Sequence, residues 1–362
     1  MRAVLETRQI DFMLPEEAAA AAPPEAEGRP RDDVRLLVID RAEGRWRHAR
    51  FTELPALLQA GDLLVFNVSQ TLPAALRAER ADTGEPVRLH FSNRLDGYDT
   101  PTTTLPEHWV VEVRRADGTP SPHGETRPGD SFIIGDVARV EVLEPFARSR
   151  RYWVAAVSAS AFELMARLGE PVRYGYVSKP WPLAAYQTEV GEVPGSAEMP
   201  SAARPFTGRI RWALRQAGVE FTSVLLHTGL SSDEVEGDHV GLDSVYPEWF
   251  SVPPAAAAQV NRALREGRRV IAVGTTVVRA LESAAIGPRE VAPVEGWTNL
   301  FVSPDRPPQV VRGLVTGLHA PRSTHLAMLA AFVPPEMLRT AYADALRSGY
   351  RWHEFGDLCL IV

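Results

Sequence analysis

The chain has 362 residues, 45% of them hydrophobic, and carries 39 basic against 46 acidic side chains for a formal net charge of −7. That length suits about two domains, and the apolar share suits a packed core. No 18-residue apolar run, an acid-bearing N-terminus and a single cysteine, Cys359, argue against a membrane span, a secretory leader, an internal disulfide and a cysteine-built zinc site, so a cytoplasmic protein is expected.

Residues 17–30 are rich in Ala, Pro and Glu and read as a mobile surface segment. Arg35-Leu-Leu-Val-Ile-Asp40 and Arg45 to Phe51 flank Arg41-Ala-Glu-Gly44 and predict a β-hairpin. Asp62-Leu-Leu-Val-Phe-Asn67 predicts a short buried strand. Five strand candidates then follow closely: Val87–Phe91, His108–Val113, Ser131–Ile134, Val137–Leu143 and Tyr152–Val157. Short strands at such spacing predict a small β-barrel, residues 76–157, inserted into a larger α/β domain of residues 1–75 and 158–362.

Beyond Phe162 helices and strands alternate. Thr207 is placed to cap a helix that Gly218 ends, and Phe221 to Leu226 reads as a strand. Pro254 suits the first turn of a helix ending near Gly267. A buried strand Val270-Ile-Ala-Val-Gly274 leads into a helix over Val277 to Ala285. Thr298–Val302 and Val310–Val315 are expected strands, Ser323–Phe332 and Pro335–Arg347 expected helices. The apolar tail at Leu358 to Val362 implies a strand docked in the sheet, since free termini fray.

Four places combine strand ends with reactive side chains. Gly274-Thr275-Thr276 joins a buried strand to a helix start, where free N–H groups and the positive dipole end receive an anion or a ribose; a plain capped turn has the same spacing. His227 ends a strand, the place where open α/β sheets bind ligands, and serves there as an acid, a base or a core histidine bonded to backbone. His319 and Arg322 precede Ser323-Thr324 at the next helix start, a setting for a carboxylate or phosphate, or simply a decorated cap. Asp357 after Gly356 serves a ligand or closes a turn. The histidines lack metal-site spacing, so no metal is expected.

Together these blocks resemble the S-adenosylmethionine:tRNA ribosyltransferase-isomerases of queuosine biosynthesis, from Asp11-Phe12 to the C-terminus. The resemblance is carried by Asp62-Leu-Leu-Val-Phe-Asn67, Tyr186-Gln187-Thr188, His227-Thr-Gly-Leu230, Ile271-Ala-Val-Gly-Thr-Thr276 with Arg279, Gly296-Trp-Thr298, His319 to Thr324 and Phe355-Gly-Asp357. It implies a monomer with an α/β domain and a smaller barrel. The implied reaction uses S-adenosylmethionine as co-substrate: its ribosyl unit passes to a 7-aminomethyl-7-deazaguanine base of tRNA, adenine and methionine leave, and no metal takes part. It further implies His227, His319 and Asp357 as catalytic candidates, and Tyr186, Gln187, Gly274, Thr275, Thr276, Arg279, Trp297, Thr298, Arg322, Ser323 and Thr324 as contacts to the co-substrate.

Several blocks depart from the family pattern. Asn67-Val-Ser-Gln-Thr71 to Leu76 lacks one acid and two arginines that the family carries there, and Pro205 stands in place of a histidine. Tyr246-Pro247-Glu248 replaces His-Ser-Glu, and Ser231-Ser232-Asp233 replaces Gly-Thr-Phe. With Lys179 the only lysine, weak tRNA affinity is expected unless Arg204, Arg209, Arg211 and Arg215 form a compensating helical stripe. Two alternatives follow: a paralogue that uses or cleaves S-adenosylmethionine without tRNA, and a binding module without catalysis.

Overall fold

The computed structural model describes residues 5–96, 105–121, 125–147, 149–177, 179–230, 239–241 and 245–362, so the departure at Ser231-Ser232-Asp233 lies outside the described residues. The larger unit is built on a nine-stranded sheet. Its centre is parallel, in spatial order Glu220–Leu226, Leu63–Asn67, Val270–Val273 and Gly313–Gly317. Glu248–Val252 and Val294–Thr298 extend one side antiparallel. On the other side the C-terminal strand Leu358–Ile361 runs antiparallel to Gly313–Gly317 and parallel to Arg35–Asp40, whose hairpin partner Arg45–Arg50 forms the edge.

Both faces of this sheet are covered, which explains the continuous apolar runs. Side chains alternate: Leu63 and Val65 enter one core, Leu64 and Phe66 the other. The first core is closed by helices Pro254–Arg265, Thr275–Ser283, Thr324–Leu329 and Pro335–Arg347. The second is closed by Gly208–Gln216 and by Phe206, which meets Phe51 and Phe66 edge-on at 4.9 and 5.0 Å.

Between strands Leu63–Asn67 and Glu220–Leu226 the chain makes a closed six-stranded antiparallel barrel, from Ala75–Arg80 to Tyr152–Val157. Its interior is filled by Phe91, Trp109, Phe132 and Val140, all fully buried. The expected α/β fold with a β-barrel is borne out.

Three local expectations are corrected. Residues 17–30 are tied down: Ala20 donates to the Trp352 carbonyl at 3.0 Å and packs beside Tyr186 and Phe355, while Glu25 takes Arg31 and Arg204. Leu300, Phe301 and Val302 are buried without joining a ladder; the strand is Val294–Thr298, just before them, and the next begins only at Gly313 rather than Val310. Apolar content placed those segments inside, but burial against helices did not require sheet pairing. The arginine stripe does not form. Arg204 precedes the helix and is buried against Glu25, Arg209 pairs with Asp32, Arg211 with Glu189 at 3.0 Å, and Arg215 lies over the Phe221 ring.

Candidate active site

The four parallel strands end together at Asn67, Leu226, Val273 and Gly317, and the chain crosses from one side of Leu63–Asn67 to the other between its second and third parallel strands. Such an edge is where open α/β sheets hold ligands. Asn67 is fully buried and stitches the edge: its amide donates to the Leu226 carbonyl at 2.8 Å and to Thr276 Oγ1 at 3.3 Å, while Oδ1 accepts Leu226 N–H at 3.0 Å. A cleft of about 700 Å³ opens above it, within the size range of small-molecule sites.

One wall is Gly274, Thr275 and Thr276. Gly274 has φ +96°, a conformation that favours glycine, and turns the strand directly into helix Thr275–Ser283. The Thr275 and Thr276 amides have no intrahelical acceptor, whereas Val277 N–H already bonds the Gly274 carbonyl at 3.2 Å. A second wall is His319, Arg322, Ser323 and His325. Ser323 caps helix Thr324–Leu329 by accepting Leu326 N–H at 3.2 Å. His319 Nε2 meets Thr316 Oγ1 at 2.7 Å, and its ring stacks on His325 at 5.1 Å and 11°. The third wall is an aromatic ladder: Tyr174 stacks on Tyr176 at 6.0 Å, and Tyr176 on His353 at 4.3 Å. Tyr176 donates to Glu354 at 2.6 Å and Tyr174 donates to Glu198, so two carboxylates stand behind the rings.

Burial sets the charge states. It pushes His319 well below the usual imidazole range and His325 and His353 to about 4. All three imidazoles are neutral at pH 7 and able to take a proton. Burial also raises the Glu354 carboxyl. The unfolded chain binds protons on these histidines near pH 6.5 while the folded protein resists them, so stability is full above that value and falls as pH drops towards 4. Urea midpoints measured from pH 7 to 4.5 are expected to decline through this window; a flat profile would show the histidines solvated.

The structure brings together only part of the expected set. Gly274, Thr275, Thr276, His319, Arg322 and Ser323 line the cleft, and Thr324 and Arg279 line a small adjoining cavity. Arg279 is a clamp, pairing with Glu248 and donating to the carbonyls of Tyr246 and Thr298 at 3.1 and 2.9 Å. His227 is fully buried behind the wall, its Nδ1 2.8 Å from Ser69 Oγ. Gln187 exchanges two hydrogen bonds with the Thr71 backbone, and Tyr186 is buried in a separate apolar cluster. Trp297 stands on a strand remote from the cleft, edge-on to Trp249, and Thr298 Oγ1 bonds Ser283 Oγ at 2.5 Å. Asp357 closes a turn, accepting the N–H groups of Arg35 and Arg351 at 2.6 and 2.8 Å. Tyr174, Tyr176, Glu198, His353 and Glu354 went unseen as site residues; an aromatic-x-aromatic pair and a His-Glu pair on loops were the available signal.

Residues 7–361 match the family described as queuosine biosynthesis protein. The S-adenosylmethionine:tRNA ribosyltransferase-isomerase of Moorella thermoacetica is 35% identical, covering 99% of this chain and 100% of the relative. The protein of the same name from Rubrobacter xylanophilus is 36% identical, over 99% and 98%. Among solved structures, the S-adenosylmethionine tRNA ribosyltransferase of Thermotoga maritima is 28% identical, covers 98% of this chain and 100% of that one, and superposes with a TM-score of 0.53.

Proposed function

Because this chain belongs to the queuosine biosynthesis protein family, we propose that it is a transferase-isomerase that moves the ribosyl unit of S-adenosylmethionine onto a tRNA base and rearranges it. The observation that carries this reading is the cleft at the ends of the parallel strands, where neutral histidines face a glycine-hinged helix start and an aromatic ladder. A sulfonium acidifies the neighbouring ribose C5′ hydrogens, and a neutral imidazole beside it is the right base to remove one. Adenine leaves more readily when a ring nitrogen is protonated, and the same histidine pair can return that proton. Tyr174 and His353, the end rungs of the ladder, each have one ring face not used in it and offer that face to a purine. We place the reaction in the cytoplasm; no helix among the described residues is long and apolar enough to cross a membrane.

The test is adenine release from S-adenosylmethionine with and without tRNA that carries the 7-aminomethyl-7-deazaguanine base. Release that depends on tRNA is the expected result. Release without tRNA would identify a small-molecule or self-cleaving reaction, and no release a binding protein.

The grip on tRNA is expected to be weak. Three of the four candidate arginines already have carboxylate partners, so that segment offers little unneutralised charge to displace counterions from phosphate. Filter binding at physiological salt should give dissociation constants above roughly 1 μM. Sub-micromolar binding that falls steeply with salt would overturn the charge argument.

A further inference from the structure

A second cavity, of about 70 Å³, lies beside the cleft where the barrel meets the α/β domain. Asn93 and Val110 reach it from barrel strands Pro86–Arg94 and Glu107–Arg115, and Glu248 and Arg279 reach it from the opposite side. Thr228, Thr275, Thr276 and His325 line both spaces and form the neck between them.

Size limits what this cavity takes. At about 10–15 Å³ per water-sized group, it accommodates roughly five to seven heavy atoms. A purine is too large, whereas an α-amino-acid head group fits.

Polarity narrows the choice further. Thr228 Oγ1 and Arg279 Nε are buried and find no hydrogen-bond partner among the described residues, and Thr228 is only 7% exposed. Unpaired buried donors are costly, and a carboxylate would satisfy both. Within the same lining Glu248 accepts one bond from Gly229 N–H at 2.7 Å and pairs with Arg279, leaving lone pairs on each oxygen. Asn93 Oδ1 adds a further acceptor; among the described residues it takes Ser92 Oγ at 3.2 Å. Donors and acceptors side by side in a space this small suit a zwitterion better than either charge alone.

We propose that this cavity holds the α-amino-carboxylate end of S-adenosylmethionine, a subsite that rests on the reading of the co-substrate above. The carboxylate faces Thr228 and Arg279, and the ammonium faces Glu248 and Asn93. The sulfonium then falls at the neck beside Thr275, Thr276 and His325, and the adenosine extends into the large cleft. In this arrangement His325, as well as His319, stands near the carbon whose hydrogens the sulfonium acidifies.

Calorimetric titration of the full chain with S-adenosylmethionine, its decarboxylated form and methylthioadenosine tests the assignment. The wild type should prefer S-adenosylmethionine to the decarboxylated form by about tenfold or more, as loss of a charged hydrogen-bond partner implies. Thr228→Val keeps the shape and removes the hydroxyl; it should weaken S-adenosylmethionine by about tenfold and leave methylthioadenosine within about twofold. Equal affinity of the wild type for the carboxylated and decarboxylated forms would overturn the subsite while leaving the co-substrate standing. Equal weakening of S-adenosylmethionine and methylthioadenosine by Thr228→Val, or weakening of neither, would also overturn it. No binding of S-adenosylmethionine by the wild type would remove the co-substrate reading and the subsite together.

Discussion

Replacing His319 with asparagine is expected to slow adenine release by roughly two to four orders of magnitude, the usual contribution of a positioned acid–base group. The ring projects into the cleft, is fixed by Thr316 Oγ1 at 2.7 Å and lies flat against His325. Burial keeps it unprotonated at neutral pH, so it enters the reaction free to take a proton and gives it up readily afterwards. Asparagine retains a polar group for Thr316 but cannot cycle a proton. Thr316→Val separates positioning from chemistry: it leaves the imidazole and frees its orientation, so a loss of only about tenfold is expected, consistent with one neutral hydrogen bond. Rates of His319→Asn within threefold of wild type, measured at saturating S-adenosylmethionine, would remove His319 from the chemistry.

Asp357→Ala should act on stability instead. Its carboxylate accepts two backbone N–H groups, from Arg35 and Arg351, in a site where it is 7% exposed. Truncation leaves two partly buried donors unpaired, a loss of about 1–3 kcal/mol. Urea unfolding reads this as a lower midpoint with an unchanged slope. Turnover per folded molecule should stay close to wild type, because Asp357 lines a neighbouring cavity of about 1020 Å³ and not the cleft that holds His319 and His325. A variant of full stability and no activity would return Asp357 to the catalytic set.

Much of the scaffold is legible in the sequence because its physical signals are local. Leu63 to Phe66 and Val270 to Val273 are unbroken apolar runs short enough only for buried strands, and the structure places both at the sheet centre. Gly274 and Ser323 announce helix starts through residue type alone. Burial without pairing is not legible: Leu300 to Val302 look like a strand and are packed coil, whereas Val294-Glu-Gly-Trp-Thr298 looks polar and forms the edge strand. The site divides in the same way. Its strand-end members follow from the α/β rule, but Tyr174 and Glu198 reach His353 only through tertiary folding, and no period in the sequence links them. His227 satisfied the strand-end rule and still fell behind the wall, because Gly195 lets its chain press onto the imidazole: a Cβ there would stand 2.3 Å from the ring.

The position of strand Leu358–Ile361 decides whether the sheet is one piece. Leu358–Ile361 is an inner strand, bonded to Gly313–Gly317 on one side and Arg35–Asp40 on the other. Of the nine strands in the sheet it is the last in chain order, so the other eight are made before it. Without it the N-terminal hairpin has no hydrogen-bonded neighbour in the sheet, and strands Gly313–Gly317 and Arg35–Asp40 are left with open edges. Open edges invite pairing with other chains. Chains cut before Leu358 should therefore present those edges to proteases and chaperones rather than accumulate as partly active enzyme.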